Sequence, residues 1–217
     1  MPKSKIQAGD IAMHYELSGP KDAPVVCLHH CFASSMGYWE EHLPALEGFR
    51  VLRFDARGHG GTDAPEGPYT LDMMAADVLN LLNALKIDQV HFCGVSLGGQ
   101  IAQTFTLAYP DRVASLILVN TTCEYTDAQC DLWRYRAQQA LDEGMDAIAG
   151  PLMERWFTAD AAKRRIPGYL YMEKAIAAFT PAAFDAASAA MCMLGTTSRL
   201  PEITAPTLVI GTPEDPG

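Results

Sequence analysis

The sequence lacks any run of about 20 consecutive apolar residues, the length that a helix needs to cross a lipid bilayer. The first residues, MPKSKIQAGDIAMHYEL, also lack the continuous apolar core of a secretory signal. Low-complexity tracts and internal repeats are absent as well. The 217 residues suffice for one sizeable core and a small appended domain, so we expect a globular protein that resides in the cytoplasm.

Positive charge is scarce, because 16 Lys and Arg residues stand against 26 Asp and Glu residues, which gives a formal net charge of -10. Phosphate backbones are bound by clustered Lys and Arg side chains, and this sequence contains no such cluster. We therefore expect a small-molecule ligand and no nucleic-acid or membrane partner. The sequence does not fix the number of subunits, and a homo-oligomer is compatible with it.

Motifs for metals, cofactors and disulfides are also missing. None of the six cysteines forms a C-x-x-C pair, and Cys27 and Cys93 lie inside strand-like runs, so we expect reduced thiols. Among the six histidines only His29 and His30 are adjacent, and neighbouring side chains on a strand point to opposite faces. We predict no metal and no other cofactor.

Short apolar runs alternate with longer segments of helical period, a pattern typical of helices that connect parallel strands. Several runs are apolar at successive positions, which favours a sheet that is covered on both faces. We therefore predict an α/β fold with a mostly parallel, doubly wound sheet. The six predicted strands span residues 11–16, 25–30, 50–55, 90–94, 115–120 and 207–211, the last of them a core strand.

Two segments carry a helical pattern. Residues 71–85 have apolar side chains at helical spacing, with Thr70 as the predicted N-cap and Asp72 in the first turn. Residues 121–194 are rich in alanine, contain clustered aromatic residues and show no strand pattern. We predict that this second segment forms a helical cap, or lid, over a core made of residues 1–120 and 195–217.

The sequence GVSLG, residues 94–98, places Ser96 between small residues, after a predicted strand and before a predicted helix. In this context a G-x-S-x-G sequence forms a tight turn that lifts the serine hydroxyl above the sheet at a helix N-terminus. The helix dipole and the free N–H of Leu97 would then stabilise an oxyanion. We predict Ser96 as the nucleophile of an acyl transfer. A glycine-rich turn with an unreactive serine is the alternative.

The chain resembles the α/β-hydrolases and is most similar to their 3-oxoadipate enol-lactonase and carboxylesterase group. The resemblance rests on MHYELSGP, FRVLRFDARGHGGTDAPEGPYTL, VHFCGVSLGG and APTLVIGTPEDPG, and it extends to LWRYRAQQALDEGMDAI and ERWFT in the predicted cap. It implies that Ser96 is the nucleophile and that Asp215 is the acid of a catalytic triad. It also implies that the backbone N–H of Phe32 is the second oxyanion donor, beside that of Leu97.

The catalytic histidine of such enzymes lies on a loop after the acid, and none of the six histidines stands at that position. By the same resemblance Asp55 and Arg57 build a loop and His59 is structural. We therefore expect the histidine beyond Gly217, together with a last strand and helix, and exposed apolar surface at that end of the sheet. Because loss of a triad member costs about 10⁴- to 10⁶-fold in turnover, we expect the 217-residue chain alone to be nearly inactive.

The predicted cap contributes aromatic and basic residues. Aromatic walls suit a small, mostly apolar acyl or lactone group, and an inward arginine can hold a carboxylate. We predict four substrate-binding residues: Trp133, Arg134, Tyr135 and Trp156. The alternative is that the aromatic residues form the core of the cap and that the arginines, Arg134, Arg136 and Arg155, face solvent.

Together these residues predict a serine hydrolase that cleaves a carboxylic ester or lactone through an acyl-enzyme. Cys31 departs from the enol-lactonase pattern, in which Gly or Ser is more usual next to the oxyanion donor, and this weakens the inference of a carboxylated lactone. A carboxylesterase, a carbon–carbon hydrolase and a perhydrolase of the same fold therefore stay open. A non-catalytic protein that binds a small ligand stays open as well.

Overall fold

The computed structural model describes residues 4–215 and contains one seven-stranded mixed sheet. The strands are β1 Ser4–Ala8, β2 Ile11–Ser18, β3 Val25–His29, β4 Arg50–Phe54, β5 Val90–Val95, β6 Val113–Val119 and β7 Thr207–Ile210. They lie in the order β1–β2–β4–β3–β5–β6–β7. Strand β2 is antiparallel to β1 and β4, and the remaining neighbours are parallel. The predicted mostly parallel sheet is confirmed.

Strand β1 is the one strand that the sequence pattern missed. Its residues, SKIQA, include only two apolar side chains, those of Ile6 and Ala8, and most of the strand is exposed. It pairs with β2 across a turn in which Gly9 has a φ of 68°. A strand this short and polar is stabilised by its hairpin partner rather than by an apolar pattern of its own.

The central strands bury apolar side chains on both faces, as predicted. In β3, Val26 and Leu28 belong to one apolar cluster, and Cys27 between them belongs to the other. Two helices, α1 Leu71–Ala84 and α2 Leu97–Ala108, pack into the larger cluster, and the 3-10 segment Met36–Leu46 covers the smaller one. Because full burial of a large apolar side chain stabilises the fold by about 1.5–3 kcal/mol, the middle of the sheet is held firmly.

Helix α1 confirms the prediction for residues 71–85. The Thr70 hydroxyl accepts a hydrogen bond from the N–H of Met73 at 3.0 Å, which caps the first turn. The apolar side chains at helical spacing are buried against the sheet and α2, among them Leu71, Met74, Val78, Leu81 and Leu82.

Five further helices follow β6 and are called here the inserted helices. They are α3 Asp127–Glu143, α4 Met145–Trp156, α5 Ala159–Arg164, α6 Pro167–Ala177 and α7 Pro181–Cys192. Helix α3 packs against α4 and α7, and α4 packs against α6. An isolated β-bridge between Glu124 and Gly195, together with a hydrogen bond from the Thr196 N–H to the Cys123 carbonyl at 3.0 Å, joins the two ends of this region. The helices agree with the pattern of residues 121–194, whereas the division of the chain into a core and a cap stays a prediction.

Strand β7 forms at the predicted place and returns to the sheet by pairing with β6, but its side chains are exposed. Leu208, Val209 and Ile210 are 54%, 70% and 43% exposed. Within residues 4–215, β7 pairs only with β6, and it forms the edge of the sheet. An apolar run in the sequence predicts a strand with apolar side chains, but it does not show whether another helix or strand covers them. The expected apolar surface at this end of the sheet is confirmed.

Other expected features concern membranes, metals and thiols. In the part of the chain that the structure describes, no single helix is long and apolar enough to span a bilayer, and α6 and α7 reach that length and composition only as a pair bent by 108°. In the same part, no three or more His, Cys, Asp or Glu side chains are grouped to hold a metal ion. The six cysteines are free thiols in this structure, and three of them, Cys27, Cys93 and Cys130, are buried.

Candidate active site

The loops that follow four parallel strands meet around one cavity of about 1150 Å³. Its walls include Cys31 and Phe32 after β3, Ser96 after β5, Asn120 after β6 and Asp215 after β7. Helices α3, α4 and α6 supply further wall residues. Because ligands of α/β sheets bind at the carboxyl ends of the parallel strands, this cavity is the candidate active site.

Ser96 occupies the junction between β5 and α2 with a φ of 52° and a ψ of -117°. A positive φ of this kind costs a residue with a side chain about 1–3 kcal/mol. Two hydrogen bonds fix the turn: the N–H of Ser96 donates to the carbonyl of Val119 at 3.0 Å, and its carbonyl accepts from the Thr121 hydroxyl at 2.7 Å. Ser96 is half-buried and lines the cavity.

Glycines on either side of Ser96 allow this turn because other backbone segments approach them closely. A Cβ on Gly94 would collide with the carbonyl of Gly98. A Cβ on Gly98 would lie 2.5 Å from the carbonyl oxygen of His29. Since the obstructing atoms belong to the backbone, they have little room to move, and only glycine fits at both positions.

The two predicted oxyanion donors lie on adjacent loops. Phe32 lines the cavity, and its buried ring packs edge-on against Trp133 and Phe184 of the inserted helices, at centroid distances of 5.4 and 4.8 Å. Leu97 is buried and directly follows Ser96 as the first residue of α2, where a backbone N–H has no intrahelical partner. Within residues 4–215 neither N–H donates a hydrogen bond to another residue.

Asp215 lies on the exposed loop after β7 and lines the same cavity as Ser96. Its N–H donates to the carbonyl of Thr212 at 3.2 Å. Asn120 holds Thr212 in turn: its Oδ1 accepts from the Thr212 N–H at 3.0 Å, and its Nδ2 donates to the Thr212 hydroxyl at 3.1 Å. We call this pair of bonds the Asn120 clamp. Sequence analysis did not identify it, because it joins residues 92 positions apart.

No histidine lines the cavity among residues 4–215. His29, His30 and His59 are packed together next to Phe32, and burial lowers the pKa of all three, that of His59 to about 3. His59 Nδ1 hydrogen-bonds the carbonyl of Arg57 at 2.9 Å. These neutral, buried rings agree with the structural role expected for His59. The catalytic histidine predicted beyond Gly217 lies outside the described residues.

Asp55 and Arg57 support the loops around this histidine cluster. The Asp55 carboxylate accepts from the N–H groups of Met36 at 2.6 Å and Gly61 at 2.8 Å. The buried Arg57 guanidinium pairs with Asp77 at 2.7 Å. These contacts agree with the loop-building roles that the resemblance implies.

The four predicted substrate-binding residues are divided between the cavity and the surface. Trp133 and Trp156 line the cavity. The Arg134 side chain is 66% exposed and pairs with Asp131 at 2.6 Å, Tyr135 is 65% exposed, and neither lines the cavity. Residues one and two positions after Trp133 on α3 point away from the face that Trp133 shares with the core. The structure therefore does not bring Arg134 and Tyr135 together with Ser96.

Arg136 is the arginine of α3 that does line the cavity. It follows Trp133 by three residues and so shares its face, and its guanidinium lies 5.1 Å from the centroid of the Trp133 ring. Burial, and then the charge of Arg155 on α4, lower the pKa of Arg136. Arg155 lines the cavity too, so two guanidinium groups border the same space as the carboxylates of the cavity wall.

Comparison with known proteins gives consistent results. The model of the α/β hydrolase fold family matches residues 24–215. The 3-oxoadipate enol-lactonase 2 of Acinetobacter baylyi is 30% identical, over 99% of this chain and 80% of that enzyme. The crystal structure of the enol-lactonase from Burkholderia xenovorans has a TM-score of 0.92 at 31% identity, covering 98% of this chain and 85% of that one.

A hydrolase from Pseudomonas aeruginosa also has a TM-score of 0.92, at 33% identity, covering 96% of this chain and 79% of that one. These similarities confirm the predicted resemblance and fold class and support a hydrolase activity. The chain therefore belongs to the α/β hydrolase fold family.

Proposed function

We propose that the protein hydrolyses a carboxylic ester or lactone through an acyl-enzyme formed on Ser96. The observation that carries the proposal is the strained backbone of Ser96 in the wall of a cavity that Asp215 also lines. Strain of this kind persists only where the surrounding structure enforces it, and it is concentrated at functional residues. The similarity to two enol-lactonases adds support for this type of bond.

In the proposed reaction the Ser96 hydroxyl gives its proton to a base while its oxygen bonds to the scissile carbonyl carbon. The carbonyl oxygen becomes an oxyanion that accepts hydrogen bonds from the N–H groups of Phe32 and Leu97. Collapse of this intermediate breaks the bond to the alcohol oxygen, which takes up the proton and leaves an ester on Ser96. Water, deprotonated by the same base, then attacks this ester, releases the acid and restores the serine.

Asp215 would orient the base and stabilise its charged form. The base is predicted to be a histidine beyond Gly217, outside the described residues. The gene sequence after codon 217 checks this point. An in-frame histidine on a loop after Asp215 would complete the triad, whereas a stop codon would favour a protein that binds a ligand without turning it over.

The cavity walls favour a small substrate with an apolar body and one negative group. Trp133 and Trp156 would contact the apolar part, and Arg136 would hold a carboxylate by charge-assisted hydrogen bonds. Four glutamates line the same cavity, Glu40, Glu41, Glu154 and Glu214. Because they would repel a second carboxylate, a carboxylesterase that acts on uncharged acyl groups is the second candidate.

Replacement of the proposed nucleophile tests the reaction. In the protein expressed from its complete gene, Ser96→Ala should lower the rate of p-nitrophenyl acetate hydrolysis by about 10⁴-fold or more, because the variant has no hydroxyl to acylate. The matched control is Ser198→Ala, which alters an exposed serine outside the cavity and should keep the wild-type rate. An unchanged rate in Ser96→Ala would sink the assignment.

A fluorophosphonate probe separates the enzyme from a non-catalytic ligand-binding protein. The probe phosphonylates only a serine whose hydroxyl is activated. Labelling in the wild type and its loss in Ser96→Ala, read by mass spectrometry of the modified peptide, support the enzyme. A folded wild type without labelling supports the ligand-binding protein.

A further inference from the structure

Besides Ser96 and Asp215, the cavity wall contains two polar side chains that are hydrogen-bonded to each other. Tyr125, on the segment between β6 and α3, lines the cavity together with Gln100 of α2. Gln100 lies in the first turns of α2, and its backbone N–H donates to the carbonyl of Ser96 at 3.1 Å. The Gln100 Nε2 donates a hydrogen bond to the Tyr125 hydroxyl at 2.8 Å.

The Gln100 side chain is poorly satisfied for so deeply buried a group. The residue is 1% exposed, and its Oε1 has no hydrogen-bond partner within residues 4–215. A buried amide oxygen without a donor destabilises the fold, and an apolar side chain of similar size would avoid that cost. Packing alone therefore does not account for glutamine at this position. Within residues 4–215, the Gln100 side chain donates one hydrogen bond, from Nε2 to the Tyr125 hydroxyl.

This bond determines what the Tyr125 hydroxyl can still do. Because its oxygen accepts from Gln100, its proton is directed to a different acceptor. No acceptor for that proton is recorded in the part of the chain that the structure describes. Burial raises the pKa of Tyr125, so the hydroxyl stays protonated at neutral pH. A neutral, oriented hydrogen-bond donor is thus left in the cavity wall.

We propose that Tyr125 determines substrate specificity by donating a hydrogen bond to a second oxygen of the substrate, away from the scissile carbonyl. Gln100 is a positioning residue that orients this hydroxyl. The inference rests on the proposed function and narrows the substrate class to esters or lactones that carry a further oxygen acceptor, a ketone or an ether. Carboxylate binding by Arg136 is a separate contact, because Arg136 lies on α3 and supplies a charged donor.

Matched ester pairs test the proposal. In each pair one methylene of the acyl chain is replaced by a ketone or an ether oxygen: p-nitrophenyl acetoacetate and methoxyacetate against the butyrate, and the levulinate against the pentanoate. For at least one pair we expect Tyr125→Phe to lower the ratio of kcat/KM for the oxygenated ester over the plain ester by about 5- to 10-fold, the range of one neutral hydrogen bond. The comparison of this ratio between the variant and the wild type cancels the difference in intrinsic reactivity between the two esters.

Two variants separate specificity from folding. Tyr125→Phe keeps the ring but leaves the buried Gln100 Nε2 without its acceptor, so its melting temperature should fall, and the ratio of kcat/KM within each ester pair is the readout of specificity. Gln100→Leu, which fills the same space without the donor, should lower the same ratio by a smaller factor, because the hydroxyl remains but is no longer oriented. A merely structural role would change the melting temperature and would leave the ratio unchanged.

Fluorophosphonate labelling of Ser96 shows which idea fails. Labelled Tyr125→Phe with a wild-type ratio for every ester pair would overturn the role of Tyr125 and leave the proposed function standing. A wild type that neither hydrolyses these esters nor takes up the probe would overturn the proposed function and, with it, the role of Tyr125.

Discussion

Ser96 follows β5, which has a hydrogen-bonded strand on each side, whereas Asp215 follows β7, which within residues 4–215 pairs on one side only. The residues of β5 are almost all buried, and those of β7 are all exposed. The turn at Ser96 is enclosed by backbone segments that meet at Gly94 and Gly98. The loop that bears Asp215 is tied to the sheet by the Asn120 clamp.

This difference shows which contacts fix the position of Ser96 and which fix the position of Asp215. The position of the nucleophile is imposed by the packed centre of the sheet, so changes there should damage folding as well as activity. Within residues 4–215, the loop that bears the acid is joined to Asn120 by two hydrogen bonds at an exposed edge of the sheet. Changes there should lower activity and leave the free energy of unfolding almost unaltered.

The largest effect is expected at the nucleophile end, in Gly98→Ala. Its Cβ would lie 2.5 Å from the carbonyl oxygen of His29 and 2.7 Å from that of His30. Because both obstacles are backbone atoms at the carboxyl end of the central strand β3, we expect a loss of about 3 kcal/mol or more in the free energy of unfolding. Urea unfolding followed by circular dichroism measures this loss.

Gly168→Ala is the matched control for that variant. Gly168 lies in the first turn of α6, and no atom lies within 4 Å of a Cβ placed there. Since alanine favours a helix over glycine, we expect a gain of about 0.5–1 kcal/mol. A stable, active Gly98→Ala protein would show that the centre of the sheet does not impose the turn and would remove the basis of the comparison.

The nucleophile end could be predicted from the sequence because its signals are local. G-x-S-x-G, the strand before it and the helix after it all lie within 20 consecutive residues, and the Thr70 cap precedes its helix directly. The acid end depends on contacts that no local pattern encodes. The apolar run in β7 predicts a strand, but its exposure depends on which elements cover it, and the Asn120 clamp joins two distant loops.

The inserted helices show which features of a site a helical pattern in the sequence predicts and which it does not. The sequence places Trp133, Arg134 and Tyr135 together, yet only Trp133 lines the cavity. The buried residues of α3, namely Cys130, Trp133, Ala137 and Ala140, recur at helical spacing, but Arg134 and Arg136 lie on opposite sides of this stripe, so the pattern alone does not choose between them. The Tyr125–Gln100 pair, in contrast, needs the loop after β6 to meet α2, which only the tertiary structure specifies.

The next largest effect is a loss of stability at low pH, which we expect from His59, the buried histidine next to Phe32. The pKa of His59 is lowered from its ordinary value of 6.5 to about 3, first by burial and then by the electrostatic interaction with His30. Below pH 6.5 the unfolded chain therefore binds a proton that the folded chain refuses, so stability is complete above pH 6.5 and falls as the pH drops toward 3. Between pH 7.5 and 5.5 we expect a loss of about 1.4 kcal/mol from His59.

His29 and His30 add to this loss, because burial lowers the pKa of each as well. Urea unfolding at the two pH values measures the sum. In His59→Leu the loss should shrink by about 1.4 kcal/mol, since the variant has no proton to take up at this position. An equal loss in the variant and the wild type would mean that the pH sensitivity of folding originates elsewhere, and the two ends of the site would then not differ in this respect.

The smallest effect on folding is expected at the acid end, in Asn120→Gly. Asn120 has a φ of 40°, which glycine adopts without strain, so this change removes the side-chain bonds to Thr212 and little else. In the protein expressed from its complete gene, we expect kcat/KM for p-nitrophenyl acetate to fall about 5- to 10-fold, because the loop bearing Asp215 loses its orientation. The free energy of unfolding should fall by no more than about 1 kcal/mol.

Thr212→Val sharpens this result, because it removes the hydroxyl that accepts from Asn120 Nδ2 and keeps the N–H that donates to Oδ1. Its loss of activity should lie between those of the wild type and Asn120→Gly. A drop in stability as large as that of Gly98→Ala would contradict the view that the edge is held by few contacts. Wild-type kcat/KM in both variants would mean that the clamp does not set the position of Asp215, and the acid would then owe its geometry to contacts other than those that join β6 and β7.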